Sequence, residues 1–327
     1  MIELNVDGTT GYELKSSLPE VSVIVVTYNQ ELDKIIKTLE SIVTQEQVEF
    51  EIIVCDDGSQ DCLGKELQLF FSQKNFTQYK LVFHDCNEGT VSNYYSGLQE
   101  AKGKYSKLLS PGDSLVGKQT LYNWLQFMKE SCAEWSFSDT FYCQSVGKKD
   151  FFIRAKAKPQ LTKAYEKNDK ARCMWNYLAL RDTVNGASIL GITDVQKRYC
   201  GMIKEKGIKY CEDYMYRLMV YHGIVGAYFP NEAVIYEYNT GISSLRDSIW
   251  KKKLAEDKNR MKCIMLNESV DSDIQAGIKK ALIRNSKGNK MNTLLNKGNL
   301  FLRIKRRFFP RLTGMPDEER QSINCTV

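Results

Sequence analysis

The sequence predicts an α/β protein built in layers, with a mainly parallel sheet that carries a ligand site along one edge. Three observations predict it. Val21-Ser-Val-Ile-Val-Val-Thr-Tyr-Asn-Gln30 is an unbroken apolar run, rich in β-branched residues, that ends in a polar turn. Such a run reads as a strand buried on both faces, as in parallel sheets covered by helices. Strand-like and helix-like stretches then alternate through residue 130, the signature of a layered α/β domain. Finally, polar residues gather where the strands end, and ligands of such sheets bind beyond the carboxyl ends of the strands.

The elements follow in order. Residues 1–18 read as an irregular leader, and Pro19 and Glu20 precede the first strand. Leu32, Ile35, Ile36, Leu39 and Ile42-Val43 recur at helical spacing. Phe50 to Cys55 predicts a second strand, ending in Asp56-Asp57-Gly58-Ser59, and Asp61 to Phe71 a second helix. Tyr79 to Phe83 predicts a third strand, Gly89 to Ala101 a helix stopped by Gly103, and Tyr105 to Leu109 a fourth strand ending in Ser110-Pro-Gly-Asp113. Gln119 to Lys129 predicts another helix. Ser136 to Ser145 holds one or two strands, and Lys156 to Arg172 is charged and loop-rich. Tyr210 to Tyr221 has Glu212 and Asp213 ahead of a helical apolar pattern, and Val225–Phe229 and Ala233–Tyr238 predict two short strands. From Trp250 onward the pattern is helical, with Pro310 as a stop.

Composition narrows the class. The hydrophobic fraction of 43% is that of a globular protein. Residues 1–20 have no apolar signal region, and no apolar run is long enough to suggest a spanning helix. The ten cysteines form no C-x-x-C pair, so they are expected to be reduced, mostly buried thiols in a cytoplasmic protein. Charge is uneven. Residues 246–327 carry 19 Lys/Arg against 9 Asp/Glu, whereas the whole chain is only +6. The body is mildly acidic and the end strongly basic, which points to an anionic partner.

Each acidic strand end has two readings. Asp56 and Asp57 either accept hydrogen bonds from a ribose or a base, or form a turn and cap a helix. Asp113 either binds a divalent cation that clamps a diphosphate or closes a Pro-Gly turn. Glu212 and Asp213 either supply a general base for an acceptor hydroxyl or favour a helix N-terminus.

Their order resolves the choice. Thr27-Tyr28-Asn29, Asp56-Asp57-Gly58-Ser59, Asn87-x-Gly89, Asp113, Asn185-Gly186, Glu212-Asp213 and Tyr238-x-x-Gly-Ile-Ser243 together resemble the family 2 glycosyltransferases, inverting enzymes with the nucleotide-sugar-binding GT-A fold. The resemblance covers roughly residues 20–245 and is strong through 130. It implies a Rossmann-like nucleotide-binding mixed sheet flanked by helices. The glycosyltransferase domain spans 19–245, with a nucleotide-sugar half (19–130) and an acceptor half (131–245), followed by a helical basic region at 246–327.

Carried over by position, the resemblance implies that Thr27, Tyr28, Asn29, Asp56, Asp57, Asn87, Gly89 and Asp113 bind the donor. Asp57 faces the base and Asp56 supports its turn. Asp113 holds a divalent cation, magnesium or manganese. Asn185, Gly186, Ala187 and Ser188 form an acceptor loop, and Tyr238 to Ser244 a segment that closes over the donor. Asp213 is the catalytic base, with Glu212 beside it. The donor is a UDP-sugar by the family's commonest usage, and the acceptor is a glycan or lipid-linked glycan in surface polysaccharide synthesis.

Two departures stand out. The family's D-x-D region keeps only Asp113, after Ser110-Pro-Gly112. Asn93-Tyr94-Tyr95 replaces a frequent Ala-Arg-Asn, leaving Lys104 and Lys107 as nearby cations. The basic segment 298–311, with Leu300, Phe301, Ile304 and Phe308 near one face, either packs on the body as a solvated helical extension, docks on the inner surface of an anionic membrane, or mediates oligomerisation. Rival readings are a catalytically inactive binding relative, and a nucleic-acid binder acting through the basic end. The second lacks any nucleic-acid motif, so no nucleic-acid partner is expected.

Overall fold

The computed structural model describes residues 18–146, 149–153, 159–237, 248–286 and 294–308. The leader (apart from Leu18), the Tyr238–Ser244 segment, and Cys325 lie outside the described residues. So does 309–311, the end of the basic segment.

The first half is a regular β/α alternation. Strand β1 (Val21–Thr27) is buried along its whole length. Helix α1 (Leu32–Val43) turns Ile35, Leu39 and Ile42 inward. Next come β2 (Phe50–Asp56), α2 (Gly64–Gln73), β3 (Tyr79–Phe83), α3 (Thr90–Glu100), β4 (Tyr105–Leu109), the short β5 (Ser114–Leu115) and α4 (Thr120–Ser131). Strands β1 to β4 pair in parallel in the spatial order β3-β2-β1-β4, with Val21 opposite both Phe50 and Tyr105. This register sets the carboxyl ends of β1, β2 and β4 side by side. Ser22 is the polar exception inside β1. Its hydroxyl donates to Glu51 and accepts the Gly103 N–H, so it is buried without loss of hydrogen bonding.

The second half makes the sheet mixed. It comprises β6 (Trp135–Val146), β7 (Lys149–Ile153), the short helices α5 (Lys163–Glu166) and α6 (Lys170–Met174), a π-helical turn at Trp175–Ala179, β8 (Ile189–Ile192), α7 (Thr193–Glu205), α8 (Tyr214–Tyr221) and β9 (Ala227–Glu237). Strand β8 is antiparallel to β4 and β6, whereas β9 runs parallel to β6 and antiparallel to β5. The order β3-β2-β1-β4-β8-β6-β9-β5 carries the end of β9 back beside Asp113.

The two strands expected at 225–238 are one strand. Pro230 is accommodated because the β6–β9 pairing slips around Ser138–Thr140, as proline within a strand requires. Helix α7 lies in a stretch with no element foreseen, and 163–174 is helical rather than loop.

Two cores flank the sheet. One holds Ile35, Leu39, Phe71, Leu121 and Trp124. The other joins Ile24, Tyr94, Trp135 and Met215 to Met261, Met265, Ile278 and Leu282 of α9 (Ser248–Asn267) and α10 (Asp273–Ser286). These helices therefore share a core with the sheet. Truncating a fully buried aromatic such as Trp135 is expected to cost about 3–5 kcal/mol.

Helix α11 (Asn299–Phe308) packs through Leu302, and Lys305 donates to the Gln160 carbonyl. Leu300, Phe301 and Ile304 are exposed. Cys55, Cys143, Cys173 and Cys200 are buried, but Cys62, Cys86, Cys132 and Cys263 are exposed. The expectation of mostly buried thiols thus holds for only part of the set.

Candidate active site

The strand ends bring the expected donor residues to one edge. The Asp57 N–H donates to the Thr27 carbonyl and locks the β1 and β2 ends together. Asp56 accepts the Ser59 amide at 2.7 Å and its hydroxyl at 2.6 Å, closing the Gly58 turn. Asp57 turns the other way. Its oxygens accept the amides of Glu88 and Gly89, each at 2.9 Å, with His84 Nδ1 at 3.6 Å. Burial raises the Asp57 pKa, and the two amides oppose the rise. A carboxylate has about four lone-pair sites, so Asp57 keeps acceptor capacity toward the cavity it lines.

Gly89 begins α3 with φ +100, and a β-carbon there would lie 2.6 Å from the Lys209 carbonyl oxygen. Only glycine fits this position without displacement. Asn29 also has positive φ, at 47°. Its side-chain oxygen accepts the Gln60 N–H while its own N–H donates to Ser59 Oγ. Its visible role is to tie two turns together. Asn87 is exposed.

A cavity of about 180 Å³ sits in this edge, lined among others by Thr27, Tyr28, Asp57, Asn93, Asp113 and Glu237. Asn29, Asp56, Asn87 and Gly89 are not in its wall; Asp56 and Gly89 shape the turns beside it, and Asn29 and Asn87 are exposed. Thr27 Oγ1 and Asn93 Oδ1 are buried and have no hydrogen-bond partner among the described residues. Buried polar atoms in a cavity wall are normally satisfied, so these two are available to a ligand's N–H or O–H groups.

Asn93 was noted in the sequence only for replacing another residue. Its Nδ2 donates to the Thr27 and Cys55 carbonyls at 3.3 and 3.0 Å, joining β1 to β2. Lys104 precedes β4 at the far end of the strand from the cavity, so it cannot serve there. Lys107 is fully buried and donates to Leu108 and Ala187 carbonyls. It positions the 185–188 loop instead of reaching a phosphate.

Asp113 is buried, and its Oδ1 accepts the Glu237 N–H at 3.0 Å. Burial pushes its pKa up to about 7, against the pull of that amide and of Lys107. Burial likewise lowers Lys107 to about 7. The Glu237 carboxylate lies over Gly112, where an added β-carbon would come within 2.0 Å of Oε2. Lys34 Nζ is 3.5 Å from the same oxygen.

Asp113 and Glu237 thus present two carboxylates to one cavity. Among the described residues no group of three or more His, Cys, Asp or Glu could hold a metal ion. Two carboxylates nonetheless fit magnesium, which keeps several waters and takes substrate phosphate oxygens. The sequence missed Glu237. Its only signal is an acid at the end of a strand whose register becomes clear on folding.

A second cavity of about 330 Å³ shares Thr90, Ser110, Asp113 and Tyr236 with the first and reaches Asn185, Gly186, Ala187, Glu212 and Asp213. Asn185 Oδ1 accepts the Ala187 N–H, and the Ser188 hydroxyl donates to the Asn185 carbonyl, which shapes the loop. Ser188 is buried and stands behind the cavity wall. A β-carbon on Gly186 would meet Asp213 Cβ at 3.5 Å and Glu212 Oε1 at 3.7 Å. The loop therefore lies directly on the acid pair.

Asp213 occupies the N-cap position of α8, but its side chain makes no capping hydrogen bond. An acid at this position still suits the helix dipole, so that part of the capping reading stands beside the catalytic one. Burial raises the pKa of Glu212, and the neighbouring Asp213 charge adds to it. Burial also raises that of Asp213, with Arg217 opposing. The pair therefore retains a proton well above the ordinary carboxylate range.

A layered sheet with one cavity at its strand ends, opening into a second, acid-lined cavity, is the arrangement in which α/β domains hold their ligands. Residues 22–181 match the family model for glycosyl transferase family 2. The chain carries a family 2 glycosyltransferase domain, and its fold is that of the GT-A glycosyltransferases.

An uncharacterized glycosyltransferase of Rickettsia felis is 34% identical over 136 residues, covering 42% of this chain and 21% of that protein. The chain thus spans about a fifth of the length of that curated relative. The putative teichuronic acid biosynthesis glycosyltransferase TuaG of Bacillus subtilis is 27% identical over 234 residues, covering 71% of this chain and 84% of that one. The crystal structure of S. aureus TarS 1-349 in complex with UDP-GlcNAc superposes with a TM-score of 0.56 at 18% identity, covering 88% of this chain and 77% of that one.

Proposed function

We propose that the protein transfers a sugar from a nucleotide-sugar donor to a hydroxyl of a glycan or lipid-linked acceptor, with inversion, in polysaccharide synthesis. The observation that carries the reading is the contiguity of the two cavities. Asp57 and Asp113 line one, Asp213 lines the other, and Asp113 belongs to both. Donor and acceptor would meet beside Asp113. The putative role given to TuaG and the UDP-GlcNAc complex of TarS favour a UDP-sugar and a polysaccharide product.

In this reading Tyr28 and Asp57 receive the base, with Thr27 Oγ1 and Asn93 Oδ1 accepting hydrogen bonds from donor N–H or O–H groups. Asp113 and Glu237 would hold a divalent cation, which supplies electrostatic stabilisation to the departing diphosphate. Asp213 accepts the acceptor hydroxyl proton, and that oxygen forms the new bond to the anomeric carbon. The bond to the diphosphate oxygen breaks on the opposite face, and its electron pair leaves with the nucleoside diphosphate. Glu212 keeps the shared proton and so leaves Asp213 as the ionised member. Lys107 positions the Ala187 loop against the acceptor.

The exposed Leu300, Phe301 and Ile304 on a basic helix support docking on an anionic membrane surface, where a lipid-linked acceptor would lie. No helix among the described residues is long and apolar enough to cross a membrane.

The direct test is a panel of UDP-, GDP- and dTDP-sugars, screened by thermal shift with and without manganese and then assayed for nucleotide release with glycan acceptors. Stabilisation by one donor class and acceptor-dependent release are expected. A chain that binds a donor and never releases nucleotide is the inactive relative instead.

A further inference from the structure

Helix α9 lies beyond the residues 22–181 that match the family model, yet it reaches the Asp213 cavity. Trp250, Leu254, Asp257 and Met261 follow at spacings that put them on one helix face. Leu254 lines the cavity with Tyr210, Cys211, Glu212 and Asp213, and Trp250 sets its ring edge-on to that of Tyr210 at 5.2 Å. Met261 is buried in the core beneath. Asp257, also buried, closes its carboxylate on the loop between α7 and α8. Its Oδ1 accepts the Lys209 N–H at 3.1 Å, and its Oδ2 accepts those of Tyr210 and Cys211 at 2.7 and 3.1 Å.

Successive amides turned toward one point make a concavity for an anion, and here a carboxylate of the same chain fills it. A buried carboxylate is tolerated where such amides satisfy it. The opposite edge of the loop is tied to the first half of the chain. The Lys209 carbonyl accepts the Val91 N–H of α3 at 2.9 Å and lies against Gly89. Immediately after the loop, the amides of Tyr214, Met215 and Tyr216 donate to the carbonyls of Cys211, Glu212 and Asp213 and start α8. The clamped loop is therefore the link that sets Asp213 relative to the donor cavity.

Resting on the reading of Asp213 as the base, we propose that Asp257 is a positioning residue, which fixes the 209–211 loop and the first turn of α8 so that Asp213 meets the acceptor. Asp257 does not touch the reacting atoms; it acts through the three amides. Helix α9 thus belongs to the transfer machinery as well as to the core. Losing the carboxylate frees the loop but leaves α9 packed through Met261 and Met265. Misplacing a reacting group by about 1 Å can cost roughly 10²-fold in rate.

The test compares the full wild-type chain with Asp257→Ala, Asp257→Asn and Met261→Ala, the last a packing control on the same helix. Amide hydrogen exchange is followed at residues 209–216, UDP binding by calorimetry, and turnover as nucleotide release from the panel of UDP-, GDP- and dTDP-sugars. In Asp257→Ala these amides should exchange about tenfold faster or more and kcat should fall roughly ten- to a hundredfold, with UDP affinity and donor KM within about threefold. Asp257→Asn keeps one acceptor oxygen and should fall between. Met261→Ala should lower Tm at least as much as Asp257→Ala, yet keep the wild-type exchange at 209–216 and the wild-type kcat. Unchanged exchange in Asp257→Ala, or an equal loss of kcat in Met261→Ala, overturns the proposal. A wild type that releases nucleotide from no member of the panel strikes the reading of Asp213 as the base. Faster exchange at 209–216 in Asp257→Ala would still support the clamp in that case, and unchanged exchange would still overturn it.

Discussion

The Glu237 amide donates to Asp113 Oδ1 at 3.0 Å, and the Glu237 carboxylate fills the space that a side chain on Gly112 would need. An acid from the second half of the chain thus stands beside the one acid that remains at the end of β4. The D-x-D region that looked thinned in sequence gains its second carboxylate from strand β9.

Glu237→Gln should therefore weaken manganese-dependent UDP binding by roughly tenfold, about 1.4 kcal/mol. Asp113→Ala should weaken it at least as much. Calorimetric titration of UDP in manganese and in chelator measures both. Equal affinities with and without metal in the wild-type chain would reject the cation role of the pair.

Asp113 also has a stability signature. Its folded pKa is raised, to about 7, so the folded state binds more protons than the unfolded one from about pH 4 upward. Its contribution therefore turns unfavourable as pH rises through that window. Without metal, Asp113→Asn should raise Tm at pH 8 by a few degrees, the shift that about 1 kcal/mol produces, and should change it little at pH 4. Thermal melts at the two pH values check the sign. A variant less stable at pH 8 would contradict it.

Gly89→Ala combines a strained φ with a 2.6 Å approach to the Lys209 carbonyl. The two together should cost about 1–3 kcal/mol and displace the Glu88–Gly89 amides from Asp57. Donor affinity should drop along with Tm. Chemical denaturation and a UDP titration report the two effects separately, and a variant with wild-type values in both would refute the account of the loop.

The raised pKa of the Glu212–Asp213 pair fixes a pH profile. A base that keeps its proton longer needs a higher pH to ionise, so turnover should fall as pH drops through the pair's apparent pKa. Glu212 is the member that holds the proton, so Glu212→Gln keeps an uncharged neighbour and should leave the acid limb in place. Turnover measured from pH 5 to 9 decides it, and a limb that moves to lower pH would show that Glu212 is ionised beside the base.

Much of the first half was legible because it is written in continuous apolar runs. Strands β1 to β4 and the Asp56-Asp57 turn follow from local sequence alone. What escaped depends on long-range register. Glu237 becomes a site residue only because β9 pairs with β6 and β5 and returns beside Asp113. Helix α7 escaped for a different reason. Asp194, Lys197, Arg198 and Lys204 mask a readable inward pattern of Gln196, Tyr199, Cys200 and Ile203. Leu300, Phe301 and Ile304 are exposed as expected, while the neighbouring Leu302 is spent on packing.

The central claim is that Asp213 removes the acceptor proton in a cavity joined to the donor's. Its most direct measurement is acceptor-dependent nucleotide release by Asp213→Asn, alongside donor binding by the same variant. The account predicts a fall of about 10²–10⁴ in turnover, with donor affinity within about threefold of wild type. Full turnover in Asp213→Asn, with donor bound normally, would contradict it.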